Sequence, residues 1–302
     1  MTQSQASLAT CPVCASTSTY VYFDLEEDSF DASALGSSRD RVSPGRILRC
    51  RTCRFAFRQL RSSPEQLHEL YRQMDPKVYD SELEGRNRTA RKHLQIVQRF
   101  LRSGRMLDVG CASGLFLSHA LSAGWDVTGI EPNEKLCEQA RSSIDGRGNV
   151  QCATLETAQL DQSFDVITLW DVLEHVPDPR GFLQLCCGLL RPGGFAFLNV
   201  PDLDSPEARL LGRRWPLLLP EHLNYFNRQS LQICANRAEL TPVEFGRRRA
   251  WFSGKYVAYR VAQHQIPASR LLQKAAETSL GRVLIPIALG ETFGVLRATS
   301  RP

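Results

Sequence analysis

The stretch Leu107-Asp108-Val109-Gly110-Cys111-Ala112-Ser113-Gly114-Leu115-Phe116 decides how this chain is read. A short apolar run passes through an acidic residue and two glycines into an apolar helix start, which is the pattern of a strand, a tight ligand-facing turn and a helix. Glycines at 110 and 114 let the backbone turn sharply and approach a ligand with no Cβ in the way. Glu131 stands seventeen residues past Gly114, at the end of the next apolar run, where a carboxylate can accept both hydroxyls of a ribose. A dinucleotide site would usually read G-x-G-x-x-G, but position 112 is Ala. Asp108 beside the loop repels phosphate and suits a ligand that carries a cation.

Outward from this turn, apolar runs at 106–109, 125–130, 150–153, 164–169 and 194–200 alternate with helical patterns at 115–123, 134–142 and 181–190. That alternation predicts an α/β fold, a parallel sheet covered by helices on both faces, with ligands beyond the carboxyl ends of the strands. A capped helix start at 63–65 and a helical pattern over 88–101 lead into it. Tyr71 and Tyr79 either reach over a pocket or are ordinary core or surface aromatics.

Residues 105–200 resemble a class I S-adenosylmethionine-dependent methyltransferase. The glycine loop resembles that family's first motif, with Ala112 in place of the usual middle glycine. Glu131 matches the ribose-binding acid, and Thr154-Leu155-Glu156 stands where such proteins contact adenine. The run 164–176, with Trp170-Asp171 and Glu174-His175, resembles the fourth-strand motif, and 189–194 the turn before the fifth strand. The resemblance implies a Rossmann-like seven-stranded sheet, with 241–251 as its sixth strand and 291–299 as its antiparallel seventh. It also implies a cofactor site of Asp108, Gly110, Cys111, Ala112, Gly114, Glu131, Pro132, Thr154, Leu155, Trp170 and Asp171. A Rossmann-type fold for another nucleotide is the alternative.

Ten cysteines in a chain whose first ten residues lack an apolar run predict a reducing, cytoplasmic setting. Four stand as Cys11-Pro-Val-Cys14 and Cys50-Arg-Thr-Cys53, thirty-five residues apart, and two such knuckles supply the four sulfurs of a closed structural zinc site. Redox dithiols are the lesser alternative. Cys111, Cys137, Cys152, Cys186, Cys187 and Cys234 lack ligand spacing and read as ordinary small buried residues. The domain reading is a zinc-binding ribbon-like module at 1–62, a helical lead-in at 63–104, and a methyltransferase domain at 105–302 with a helical insert at about 252–290. With the cysteines included, the chain resembles methyltransferases that carry an N-terminal zinc-binding segment, among them sugar C-methyltransferases. Its length is read as too short for the further C-terminal domain of the sugar C-methyltransferases, which weighs against the sugar-carbon reaction as an expectation.

A methyltransferase of this kind needs in-line proximity and, for a hydroxyl or carbon acid, a base. His68, His93, His119 and His264 read as structural or solvated. His175 lies near the cofactor end of the fourth strand, as a catalytic candidate or a local hydrogen-bonding group. His222, in Pro220-Glu221-His222-Leu223-Asn224-Tyr225-Phe226, is the stronger candidate. The zinc-bearing relatives carry a Glu-His pair here, to which a base role is attributed, with Glu221 orienting the imidazole. Positioning of substrate and a structural role stay open.

The net charge of +5 hides an asymmetry: residues 205–302 carry fifteen Lys/Arg against six Asp/Glu, which leaves the rest acidic. The basic third predicts an anionic or lipid-linked small-molecule acceptor, with peripheral membrane contact through the insert as an option. An RNA or protein acceptor, and a non-catalytic cofactor-binding protein, are the other readings. Arg247, Arg248 and Arg249 read as a solvated strand end or a functional basic patch. The apolar stretch 280–296 is broken by Arg282, Pro286, Gly290 and Glu291 and does not read as a membrane span.

Overall fold

A computed structural model describes residues 9–25, 43–59, 64–75, 82–160, 163–263, 274 and 276–299. Tyr79, His264, and the side chain of His68 lie outside what it describes. The central sheet has seven strands: β4 (Arg105–Val109), β5 (Asp126–Ile130), β6 (Asn149–Gln151), β7 (Phe164–Leu169), β8 (Leu190–Pro201), β10 (Leu240–Arg247) and β13 (Glu291–Ala298). Their order is β10-β13-β8-β7-β4-β5-β6, with β4 to β8 parallel and β13 antiparallel to both neighbours. The chain therefore has the α/β sheet that the alternating pattern predicts. The strands start on β4 at the centre and wind outward to β6, then return through β7, so the switch point lies between β4 and β7.

Local chemistry sets the helices that flank it. After β5, the Asn133 side chain caps α4 (Glu134–Ser143) by accepting from Leu136 N–H at 3.1 Å, which turns Leu136, Cys137 and Ala140 inward. Asp178 and Pro179 start α5 (Pro179–Leu189) two residues before the apolar pattern does, because Asp178 accepts from Gly181 N–H at 3.0 Å and a proline at the first helical position loses no bond. On the sheet face opposite α5, α2 (Leu83–Val97) and α3 (Leu115–Ser122) pack in one cluster with α4.

Cys137 and Cys152 are joined in a disulfide, which corrects their reading as ordinary residues. No spacing rule could have paired them, since the contact comes from α4 folding back beside β6. Cys111, Cys186, Cys187 and Cys234 take part in no disulfide and are buried, as expected.

A second sheet has the order β1-β2-β3-β9, from β1 (Thr19–Phe23), β2 (Ile47–Cys50), β3 (Ala56–Arg58) and β9 (Asn224–Tyr225). Its first three strands come from the cysteine-bearing segment and its fourth from the chain after β8. The sixth-strand expectation of 241–251 is also corrected. β10 ends at Arg247, and β11 (Ala250–Ser253) leaves the sheet to pair antiparallel with β12 (Leu284–Ile287). Among its described residues the insert thus contains a strand ribbon, with α8 (Gly254–Gln263) and a short 3-10 turn at Ser279–Arg282, and is not purely helical. The ribbon is pinned to α2: Trp251 N–H donates to Thr89 Oγ1 at 3.0 Å and Ser253 Oγ donates to Glu82 at 2.7 Å. No helix among the described residues is long and apolar enough to cross a membrane.

Candidate active site

One cavity of about 460 Å³ opens beyond the carboxyl ends of β4 and β7. Its first wall is the loop that follows β4. Gly110 (φ +71°) and Gly114 (φ +78°) occupy left-handed backbone. A Cβ on Gly114 would come 2.3 Å from Ser143 Oγ and 2.8 Å from Ala140 Cα, so the loop is set by its packing on α4. Ala112 also has φ +47°, so the residue that replaces the usual glycine still takes a glycine-like conformation.

Asp108, Gly110, Cys111, Ala112 and Pro132 line this end of the cavity, with Thr154 and Leu155 beside them. Gly114 sits behind the loop. Glu131 is fully buried: its Oε2 accepts from Ala112 N–H at 2.9 Å and, more weakly, from Tyr71 O–H at 3.5 Å, while Oε1 accepts from Asn133 N–H at 2.8 Å. Asn133 Nδ2 in turn donates to the carbonyls of Tyr71, Arg72 and Met74. It thereby holds the end of α1 (Pro64–Arg72) over the site, and Tyr71 is a cavity residue. Burial pushes both Asp108 and Glu131 up to about 7, against the opposing hydrogen bonds from Thr168 to Asp108 and from backbone N–H groups to Glu131.

Trp170 and Asp171 follow β7, and Asp171 adopts φ +56°. Arg248 Nη1 and Nη2 each donate to one Asp171 oxygen at 3.0 Å, and Nη1 also donates to Glu291 at 2.6 Å. Asn199 Nδ2 bridges the same two carboxylates. The Asp171 side chain is 49% exposed, but into the cavity, whereas Arg248 is 12% and Glu291 4% exposed. Burial pushes Asp171 up, and the Arg248 guanidinium with Asn199 more than reverses it. Arg248 is therefore no solvated strand end: the chain leaves the sheet at this residue and turns it inward. His93, read from sequence as structural or solvated, also lines the cavity. Its ring stacks on Trp170 at 3.9 Å and its Nε2 accepts from Arg248 Nε at 3.3 Å. Burial, then the Arg248 charge, lowers it to about 3.

At the far end Glu174, His175, Glu221 and His222 come together. His175 Nδ1 lies 3.0 Å from the Glu221 carbonyl and His222 Nδ1 3.0 Å from the Leu217 carbonyl. A carbonyl only accepts, so each Nδ1 carries the proton and each Nε2 keeps a free lone pair. The rings meet edge-on at 4.9 Å. Burial first, then the neighbouring imidazole, lowers His222 to about 3; burial lowers His175 too. Glu174 is 1% exposed, its Oε2 has no partner, and burial raises it well above the usual range. Glu174, His175 and His222 offer ligand atoms within 4.8 Å of one another, so the trio can hold a proton or a metal ion. Sequence spacing joins Glu174 to His175 but cannot bring in His222.

The four cysteines also converge. Cys11 and Cys53 sulfurs lie 3.5 Å apart, as do Cys14 and Cys50, and all four fall within 4.8 Å. Four sulfurs at ~2.3 Å from one ion in a tetrahedron stand ~3.8 Å from each other, so the donor set fits zinc. The hydrogen bond that Cys11 and Cys53 share lowers the Cys11 thiol and raises that of Cys53.

A family model described as "Methyltransferase domain" matches residues 79–244. The ubiquinone biosynthesis O-methyltransferase of Coxiella burnetii (strain Dugway 5J108-111) is 40% identical over 105 residues, 33% of this chain and 44% of that protein. The chain thus spans less than half the length of that relative. The enzyme of the same name from Bordetella avium (strain 197N) is 34% identical over 183 residues, 56% of this chain and 75% of that one. Among solved structures, Burkholderia thailandensis 1,6-didemethyltoxoflavin-N1-methyltransferase, with bound 1,6-didemethyltoxoflavin and S-adenosylhomocysteine, superposes with a TM-score of 0.51 at 17% identity. That match covers 83% of this chain and 98% of the other, and it speaks for the fold alone. On the match over 79–244 and the Bordetella relative, the chain belongs to the methyltransferase-domain family of S-adenosylmethionine-dependent proteins.

Proposed function

We propose that the chain methylates an oxygen of a small-molecule acceptor, with S-adenosylmethionine as donor and His222 as base. The observation that carries this reading is the single cavity that joins the glycine loop and Asp108 at one end to the neutral His175–His222 pair at the other. Bound S-adenosylmethionine supplies a methyl group already activated on a sulfonium. The loop at 110–114 would approach its amino-acid part, Glu131 its ribose, and Thr154-Leu155 its adenine. Trp170 and Asp171 would face the reacting centre. Trp251, Phe252 and Tyr256 make an apolar wall for the acceptor. His222 Nε2 takes the acceptor proton, and the Asp171 charge favours the imidazolium that results. The relatives' names support oxygen as the attacked atom, and a cavity of about 460 Å³ with an apolar wall suits a sugar or phenol, lipid-linked or not.

The test is transfer of labelled methyl to a panel of dihydroxybenzenes, prenylated phenols, nucleotide sugars and RNA. Turnover confined to RNA, or no binding of S-adenosylmethionine, would sink the proposal. The Glu174, His175 and His222 trio supports a second reading, a divalent cation that holds the acceptor oxygen. Turnover that survives EDTA favours the base and rejects the cation.

For the cysteines we propose structural zinc, with Cys11, Cys14, Cys50 and Cys53 as its ligands and the metal crosslinking β2 to the N-terminal knuckle. Elemental analysis of the purified protein should give a bound zinc that is lost in Cys50→Ser.

The cofactor end gives a pH prediction. Burial holds Asp108 and Glu131 near 7, so they are partly protonated at neutral pH. Their ionised forms attract a cation, and the affinity for S-adenosylmethionine should rise about tenfold between pH 6 and 8 and then level off. Calorimetry across that range measures it; a flat profile would mean that the carboxylates are ionised throughout.

A further inference from the structure

The segment that carries Glu221 and His222 reaches the cavity as a strand of the cysteine module's sheet. β9 pairs with β3 through Ala56 with Tyr225 and Phe57 with Asn224. Arg58, 3% exposed, closes the join: its N–H donates to the Leu223 carbonyl at 2.9 Å, and its guanidinium donates to the carbonyl of Pro220, next to Glu221. On the other edge, Leu223 and Asn224 N–H donate to the Glu174 carbonyl at 2.8 and 3.0 Å, and Asn224 Nδ2 donates to the carbonyls of Leu173 and Val176. The two-residue strand is thus stitched between β3 and the Glu174-His175 turn. β3 itself is tied to the cysteines, because Cys50 N–H donates to the Phe55 carbonyl at 2.8 Å just past Cys53.

We propose that Arg58 is a positioning residue and that the cysteine module serves as a brace, setting His222 opposite His175 from outside the methyltransferase sheet. A two-residue ladder is too short to hold a loop in place by itself, and a base displaced by an ångström loses most of its effect. The buried guanidinium on Pro220 and the metal-crosslinked β2–β3 hairpin supply the missing rigidity. The glycine loop and Glu131 hang on β4, β5 and α4, and the hydrogen bonds of this join run to none of them. Loss of the module should therefore disturb the base and spare cofactor binding. The proposal rests on the reading of His222 as the base.

The test uses the full chain, labelled with ¹⁵N-histidine, as wild type, Arg58→Met and Arg58→Lys. In Arg58→Met, zinc content and S-adenosylhomocysteine affinity should stay within about twofold, and amide exchange over residues 222–225 should quicken by at least about tenfold. The Nδ1-proton signal of His222, protected by the Leu217 carbonyl, should broaden away, and Arg58→Lys, which can still donate to Pro220, should restore it. Unchanged protection at 222–225 in Arg58→Met overturns the proposal. If Arg58→Met does not fold, chelation of the wild type makes the same measurement. Selective exposure of 222–225 supports the brace, and exposure spread evenly over the central sheet rejects it. None of these readouts needs an acceptor. A failure of the base reading would instead appear as His222→Gln turning over normally with 222–225 still protected.

Discussion

His222→Gln should lower methyl transfer by about two to four orders of magnitude and leave S-adenosylhomocysteine affinity within about twofold. The imidazole is 7% exposed, and its Nδ1 proton is committed to the Leu217 carbonyl. Nε2 is the nitrogen left to accept a proton, and burial beside His175 keeps it unprotonated across the neutral range. A glutamine amide can keep a bond to Leu217 and fill similar space, yet it offers no basic lone pair. The residues proposed to hold the amino-acid part and ribose of the cofactor lie on the loops after β4 and β5 and should not respond. Rate and affinity measured on one preparation check this. A variant with undiminished turnover would leave His222 as a packing group, and one that had lost S-adenosylhomocysteine would make the change structural.

Arg248→Met should cost about 3–5 kcal/mol of stability. The guanidinium is shared by Asp171, which opens to the cavity, and Glu291, which is buried, and methionine would keep the volume while leaving both carboxylates beside Asn199 without a countercharge. The loss should depend on pH. Burial already lifts Glu291 to about 7 with Arg248 present, and removal of the cation lifts it further. A carboxyl with a raised folded-state pKa penalises folding least below its unfolded value, increasingly as pH rises from there to the folded one, and by a constant amount above it. The variant should therefore lie closest to wild type near pH 5 and farthest near pH 8, as read from urea unfolding at both. Equal stability at both pH values would mean that the charges are solvated after all.

That prediction concerns a residue whose environment the sequence conceals. Arg247, Arg248 and Arg249 form an undifferentiated basic run, and only the departure of β11 from the sheet turns the middle one inward while Arg247 pairs with Glu207 at the surface. His93 was hidden in the same way, as one polar residue on an amphipathic helix whose burying partner, Trp170, lies 77 positions on. Cys137 and Cys152 were hidden because a disulfide depends on where α4 returns to the sheet edge.

The sequence by itself determined the sheet, the glycine turn and Glu131, because period-two and helical patterning, turn glycines and helix caps act over a few residues and need no distant partner. It also marked the four cysteines, since each knuckle is local. Only the tertiary structure decided which charged and titratable groups share the cavity: Arg248 on Asp171 and Glu291, His93 on Trp170, His222 against His175. It alone placed β9 in the cysteine module's sheet. Those meetings join residues scores of positions apart, and their desolvation and charge compensation exist only once the intervening chain has packed.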